Sequence, residues 1–122
     1  ESNLPSRFGI GLNGLSGYRL QINPKKNQLE LYRDTSRVEA IDFDTSTNRW
    51  THLRLQVRAL PGVKWVIEGK AWNEIESEPK NWLLLWTDIA TPETGQPGIW
   101  SSANVKKSLV EIDDLRVWLV ED

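Results

Sequence analysis

The sequence predicts an all-β protein in which two antiparallel sheets pack face to face. Apolar and polar residues alternate with a period of two in several segments. Turn residues separate these segments roughly every ten residues, as in β-sandwiches and barrels. No segment of helical length carries an apolar face with helical spacing. These three observations indicate a β-sandwich or barrel of about nine short strands, of which the two-sheet sandwich is favoured.

The first part of the chain contains a predicted strand and a predicted hairpin. The strand at 8–12 alternates apolar with small residues. Segments 17–22 and 28–33 also alternate, and the residues from Pro24 to Asn27 between them have the composition of a turn. We therefore expect these two segments to pair as neighbouring strands.

Two further strands are predicted in the middle of the chain. In segment 37–43 the apolar phase slips between Ala40 and Ile41, which predicts a β-bulge or a bend. Residues 50–59 form the clearest strand, with polar residues on the outward phase. The residues predicted to face inward are Leu53, Leu55, Val57 and Ala59.

Four more strands are predicted in the second half, and one of them is a short strand that follows the turn at Gly98. The strand that starts at Val63 is expected to end at Gly69. Segment 82–89 begins with the continuous apolar run WLLLW, which is typical of a strand covered on both faces. The closing strand at 110–119 changes phase at Asp113-Asp114, so we expect a bulge there.

Composition limits the classes of protein that the sequence allows. A length of 122 residues predicts a single domain, spanning 1–122. The net charge of −2 gives no reason to expect nucleic acid or a membrane as a partner. The absence of cysteine excludes disulfides and thiolate metal sites. Methionine is absent even from position 1, so we expect a processed product or a piece of a longer polypeptide.

Seven tryptophans, at positions 50, 65, 72, 82, 86, 100 and 118, are the most unusual feature of the composition. Most are expected to pack in the core, since aromatic side chains bury large areas. Those near loops could instead stack on a flat ligand such as a sugar ring. The candidates are Trp72 beyond Gly69, Trp86 before a predicted Thr-Asp loop, and Trp100 after the turn at Gly98.

The order of several motifs carries a family resemblance. The chain reads GYRLQI, LELYR, WTHLRLQV, WVIEGKAW, GQPGI and VEIDDLRV, from the first predicted strands to the last. This order resembles the concanavalin A-like (laminin G-like) jelly roll, and within it the bacterial DUF1080-type sugar-hydrolase-like domains. Full domains of this type are longer, and their N-terminal strands have no counterpart here. We therefore expect another chain, a swapped neighbour or rearranged strand pairing to fill the gap at an open sheet edge.

Two acidic hypotheses concern the predicted closing strand. Glu111, Asp113 and Asp114 invite comparison with the paired carboxylates of glycosidases. The resemblance implies a final Glu in that motif, but Leu115 and Arg116 stand there instead, so a structural role at the bulge is favoured. Asp113 is the candidate ligand for a calcium ion, which would be the only cofactor.

Basic residues supply the remaining candidates. His52, the single histidine, falls on an outward phase and is expected to be solvated. Four arginines are predicted to lie outward near Tyr32 and Glu30 and to form one polar sheet face if their strands are neighbours. These are Arg19, Arg33, Arg54 and Arg58. Among them Arg54 is the candidate donor to sugar hydroxyls.

Three functions follow from these observations and from the resemblance. The first is a non-catalytic carbohydrate-binding or adhesion module of a larger extracellular or cell-envelope protein, with a glycan or polysaccharide as partner. It would bind through exposed tryptophans. The second is an enzyme domain of the sugar-hydrolase type, as the resemblance implies. The third is a structural or assembly domain whose partner is another protein chain.

Overall fold

A computed structural model of the chain describes residues 7–14, 16–45, 49–62, 64–92, 94–101 and 116–117. Within these residues the protein is entirely β, with eight strands and no helix. The strands are β1 (Phe8–Leu12), β2 (Tyr18–Asn23), β3 (Gln28–Arg33), β4 (Ser36–Asp42), β5 (Thr51–Leu60), β6 (Lys64–Asn73), β7 (Leu84–Asp88) and β8 (Gly98–Ser101).

The strands form two antiparallel sheets, which confirms the predicted architecture at this level. Sheet A has the order β4-β3-β2-β1-β8, and sheet B has the order β5-β6-β7. The chain passes from sheet A to sheet B after β4 and returns to sheet A after β7. The last described strand, β8, then pairs with the first, so that Phe8 lies opposite Ser101.

The predicted hairpin is present and its register is regular. Strands β2 and β3 pair from Tyr18 opposite Arg33 to Asn23 opposite Gln28. The connecting turn ends at Asn27, whose φ of 52° is a left-handed conformation that asparagine tolerates better than most residues. Alternation then sends one side of both strands into the core and the other to the outer face of sheet A.

The core lies between the two sheets and draws on both. Its buried members are Tyr18, Leu20, Ile22, Leu29, Leu31, Ile67, Ala71 and Leu84. Leu20 faces Gly69, where a Cβ atom would come within 2.7 Å of the Leu20 Cδ1 atom. The glycine therefore lets the sheets approach closely, and β6 continues through it to Asn73. The prediction that this strand ends at Gly69 is wrong.

Strand β4 contains the predicted bulge, but at a different position. The register with β3 shifts between Leu31, opposite Glu39, and Tyr32, opposite Arg37. Val38 is the extra residue, and it packs against the core. The bulge lies there rather than at Ala40-Ile41 because it brings Val38 onto the inner side.

Strand β7 is covered on one face only. Leu84 is buried against the core, whereas Leu85 is 55% exposed on the outer face of sheet B. The prediction of a strand covered on both faces is therefore wrong.

The described residues contain no helix long and apolar enough to cross a membrane. The predicted closing strand at 110–119, with its bulge at Asp113-Asp114, lies outside the described residues.

Candidate functional site

The outer face of sheet B brings an aromatic pair together. His52 of β5 lies opposite Trp72 of β6. Their rings stack with centroids 5.0 Å apart and an interplanar angle of 17°. His52 is exposed, as predicted, and Trp72 is half-buried. The strand that carries Trp72 continues to Asn73, so the prediction that Trp72 lies on a loop is wrong.

Trp50 adds a third aromatic ring beside the start of β5. Its side chain is 47% exposed. The backbone N–H and carbonyl groups of Trp50 are both hydrogen-bonded to Glu74, which follows β6. The Trp50 N–H donates to Glu74 Oε2 at 3.3 Å, and the Glu74 N–H donates to the Trp50 carbonyl at 2.9 Å. These bonds fix the backbone that carries Trp50 relative to the end of β6.

Arg54 lies on the same outer face and is paired with Glu78. Its Nη1 donates to Glu78 Oε2 at 2.6 Å, and Lys70 Nζ donates to the same oxygen at 2.9 Å. Hydrogen bonds from Lys70 and then Arg54 hold the pKa of Glu78 below its usual value. Glu78 therefore stays ionised near neutral pH. We call the group of Trp50, His52, Arg54, Trp72 and Glu78 the sheet B platform.

Lys70 anchors the connection between β6 and β7 at the outer face of sheet B. Its Nζ donates to the Pro79 carbonyl at 2.7 Å and lies 4.8 Å from the centre of the Trp82 ring. The lysine side chain is almost fully buried. The platform is consequently bordered by an anchored segment of backbone.

A second polar cluster lies further along the outer face of sheet B. Glu68 is buried, and its carboxylate accepts hydrogen bonds from Gln56 at 2.8 Å and from Arg58 at 2.9 and 3.2 Å. Arg54 and Arg58 thus face outward, as predicted. They share this face with each other but not with Arg19, which lies in sheet A.

Trp100 lies on the outer face of sheet A, away from the sheet B platform. It belongs to β8, which begins at Gly98, and is half-buried. The Arg19 guanidinium carbon lies 4.1 Å from the centre of the Trp100 ring and 4.7 Å from that of Tyr32. Trp100 and Trp72 are therefore on opposite surfaces of the sandwich.

Trp86 belongs to the interior. It lies on the inner side of β7, opposite Ile67, and packs against the core. The expected loop at Thr87-Asp88 is wrong, because both residues continue the strand. Of the four predicted ligand-binding residues, only Trp72 and Arg54 share a surface.

A buried cluster between the sheets was not predicted. Asp88 Oδ2 accepts hydrogen bonds from the Tyr18 hydroxyl at 2.7 Å and from Arg33 Nε at 2.6 Å. The prediction that Arg33 faces outward with Arg19 is therefore wrong. Arg33 lies opposite Tyr18 and on the same side of β3 as Leu31, a phase that the alternation of the strand already indicated.

The metal prediction concerns residues beyond those described. Asp113 lies outside the described residues, as do Glu111 and Asp114, on which the sugar-hydrolase alternative depends. Within the part of the chain that the structure describes, no three His, Cys, Asp or Glu residues come together as a metal site.

Comparison of the chain with protein-family models, with curated proteins and with solved structures finds no match.

Proposed function

We propose that the chain is a non-catalytic glycan-binding module and that the sheet B platform is its binding site. The observation that carries this proposal is the stacked pair of His52 and Trp72. Beside it lies the ion pair between Arg54, also of β5, and Glu78, in the connection between β6 and β7. Sites for small ligands typically combine aromatic surface with a few fixed polar groups. An aromatic ring offers the apolar face of a sugar a surface against which it can pack.

The ion pair supplies the polar part of the proposed site. The Arg54 and Glu78 side chains are 39% and 37% exposed, so both remain within reach of a ligand. A guanidinium donates hydrogen bonds and a carboxylate accepts them, and a sugar hydroxyl can do both. The second contact of Glu78, with Lys70, holds the carboxylate in place before a ligand arrives.

We further propose that the fold is a concanavalin A-like jelly roll. Two facing antiparallel sheets and two passages of the chain between them are compatible with that fold. The expected position of the module in an extracellular or envelope protein remains part of the same proposal.

The proposal is tested with a glycan array and with titrations monitored by tryptophan fluorescence. We expect neutral polysaccharides to bind, and Trp72→Ala to weaken that binding about tenfold or more, because it removes the stacking surface. Arg54→Gln should weaken it less. Trp100→Ala is the matched control, since it removes an indole from the opposite surface. Equal losses from the Trp72 and Trp100 variants, or no binding across the array, would contradict the proposal.

A second candidate function is assembly with another copy of the chain through β7. Within the described residues β7 pairs on one side only, with β6. Leu85 on this strand and Ile89 just after it are exposed apolar side chains. An open strand edge with apolar neighbours favours pairing between chains. We expect sedimentation to depend on concentration and Leu85→Lys to abolish that dependence, whereas a monomer at all concentrations would exclude this function.

A further inference from the structure

We propose that the outer face of sheet A holds a second site, in which Arg19 binds the carboxylate of an acidic sugar. The site consists of Arg19, Tyr32 and Trp100, with Gln21 and Glu30 behind them. It lies on the opposite surface from the sheet B platform and does not depend on it.

Arg19 lies between two aromatic rings that project from different strands. Tyr32 belongs to β3 on one side of β2, and Trp100 belongs to β8 on the other side, beyond β1. The guanidinium carbon is 4.7 and 4.1 Å from the two ring centres, which is within the range of cation–π contact. The rings hold the guanidinium in a defined position.

Two glycines of β1 make the contact with Trp100 possible. Gly9 lies opposite both Trp100 and Gln21, and Gly11 lies opposite Arg19. A Cβ atom at Gly9 would come within 2.7 Å of the Gln21 Cα atom. The outer side of β1 is therefore free of side chains at both positions, and Trp100 and Arg19 meet across the strand between them.

A chain of hydrogen bonds orients the guanidinium from behind. Arg19 Nε donates to Gln21 Oε1 at 2.8 Å, and Gln21 Nε2 donates to Glu30 Oε1 at 2.6 Å. Asn23 Nδ2 donates to the other Glu30 oxygen at 3.1 Å. Gln21 and Glu30 are 0% and 1% exposed, so these partners are fixed. Because the Nε–H of Arg19 is already used, the two terminal nitrogens of the guanidinium, Nη1 and Nη2, are the donors that can bind a ligand.

The guanidinium lacks a carboxylate partner within the described residues. Its one hydrogen bond there is to the neutral Gln21 side chain. The nearby Glu30 is already shared by Gln21, Asn23 and Arg37, the last at 3.5 Å. Burial lowers the pKa of Arg19 and the charge of Arg7 lowers it further, whereas Tyr32 and Glu30 partly oppose these two effects. A bound anion would offset both effects, because it would neutralise a partly desolvated cation.

The shape of the site favours a carboxylate attached to a ring. Two parallel N–H groups match the two oxygens of a planar carboxylate. The half-buried Trp100 indole lies directly beside them and can pack against the sugar ring that bears the carboxylate. A uronic acid combines these two features in one residue, whereas the sulfate ester of a sugar offers a tetrahedral anion.

The test is calorimetric titration of the full chain with an oligogalacturonate and with the same oligosaccharide fully methyl-esterified. We expect the free acid to bind at least about tenfold more tightly, because esterification removes the charge and one acceptor oxygen. Arg19→Lys should weaken acid binding about tenfold, since it keeps the charge but loses the fork. Lys25→Gln, which removes an exposed cation from the turn after β2, should leave it unchanged.

Three outcomes would overturn the proposal. They are equal affinity for acid and ester, equal affinity of the Arg19→Lys variant and the unaltered chain, and tighter binding of a sulfated oligosaccharide than of the uronate. The comparison of acid with ester uses the unaltered chain, so a failure of the variant to fold would not remove the test.

Discussion

Asp88 connects the two sheets through polar contacts in the interior. It is buried, and its carboxylate accepts from Tyr18, from Arg33 and from the Ala90 N–H. Burial raises the pKa of Asp88, but these three hydrogen bonds outweigh it, and the pKa lies below its usual value. Burial and then the hydrogen bond to Asp88 raise the pKa of Tyr18 to about 12.

Removal of this carboxylate should destabilise the protein. Asp88→Ala leaves the Tyr18 hydroxyl and the Arg33 guanidinium without their acceptor. We expect the free energy of unfolding in urea to fall by about 2–4 kcal/mol, as for other buried charge networks that lose one partner. Asp42→Ala, which removes an exposed carboxylate at the end of β4, is the control and should change it by less than about 0.5 kcal/mol. Equal effects of the two substitutions would contradict this account of Asp88.

The same cluster should produce losses of stability at both ends of the pH scale. Folding lowers the Asp88 pKa, so its contribution is present above the unfolded pKa of about 4 and disappears as the pH falls through the folded pKa. Folding raises the Tyr18 pKa, so its contribution is present below the unfolded pKa of about 10 and disappears as the pH rises through the folded pKa. Urea unfolding at a series of pH values measures both losses.

Tyr18→Phe isolates the alkaline loss. In this variant the free energy of unfolding should fall less at alkaline pH than in the unaltered chain. In Tyr32→Phe, on the outer face, it should fall as much as in the unaltered chain. An alkaline decline of the same size in the Tyr18 variant would show that other groups cause it.

Sequence periodicity predicted the orientation of single residues where a strand is regular. The inward positions of Leu53, Leu55 and Val57 follow from simple alternation, and all three pack against the core. Periodicity could not identify Asp88 as a buried residue, because Thr-Asp after an apolar run has the composition of a loop. Its burial depends on Arg33, a contact across 55 residues that no local pattern encodes.

At the scale of elements, β6 is the central strand of sheet B. It pairs with both β5 and β7, and it carries Trp72 on the outer face and Ile67 in the core. Gly69 interrupts its apolar pattern at the point where Leu20 of the other sheet comes closest. A glycine that looks like the end of a strand in the sequence is here the condition for close packing of the two sheets.

This role of Gly69 can be measured directly. Gly69→Val places a branched side chain against the fully buried Leu20, and we expect it to lower the free energy of unfolding by about 2 kcal/mol through overpacking. Gly98→Val is the control, since no atom lies within 4 Å of the Cβ position there. If both variants were equally stable, Gly69 would not set the spacing of the sheets.

The elements themselves were predicted well where turns are short and less well elsewhere. The hairpin of β2 and β3 was found because a four-residue turn separates two alternating segments. The bulge in β4 lies earlier in the chain than predicted. Alternation shows only that the apolar phase changes somewhere between Val38 and Ile41, and it does not identify the extra residue. The register with β3, which decides its position, is not a property of the strand alone.

At the scale of the whole molecule, the two sheets share one interior and should unfold together. The buried cluster combines residues of β2, β3, β6 and β7. We expect far-ultraviolet circular dichroism, which follows the strands, and fluorescence, which follows the seven tryptophans together, to give the same midpoint in urea. Two separate midpoints would mean that the sheets are independent.

A substitution at the centre should move both midpoints equally. Leu20→Ala removes a fully buried side chain between the sheets, and we expect it to cost about 3 kcal/mol in both signals. Leu85→Ala, on the exposed outer side of β7, should leave both almost unchanged. A shift confined to one signal would contradict a shared interior.

The sequence predicted two sheets but not their arrangement. Alternation and turn spacing specify strands, but they do not specify that β8 returns to lie beside β1. For the same reason Trp72 and Trp100 were both candidates for stacking on a ligand, although they occupy opposite surfaces. Strand order decides which side chains share a surface, and it arises from contacts between residues far apart in the chain.

The pairing of β1 with β8 has a mechanical consequence. Phe8 and Ser101 are opposite each other at one end of this ladder. Tension applied between these two positions would act across the strands and peel their hydrogen bonds apart one after another, rather than shear them all at once. A molecule held at this pair of points should therefore open at low force, starting from the Phe8 end of the β1–β8 ladder.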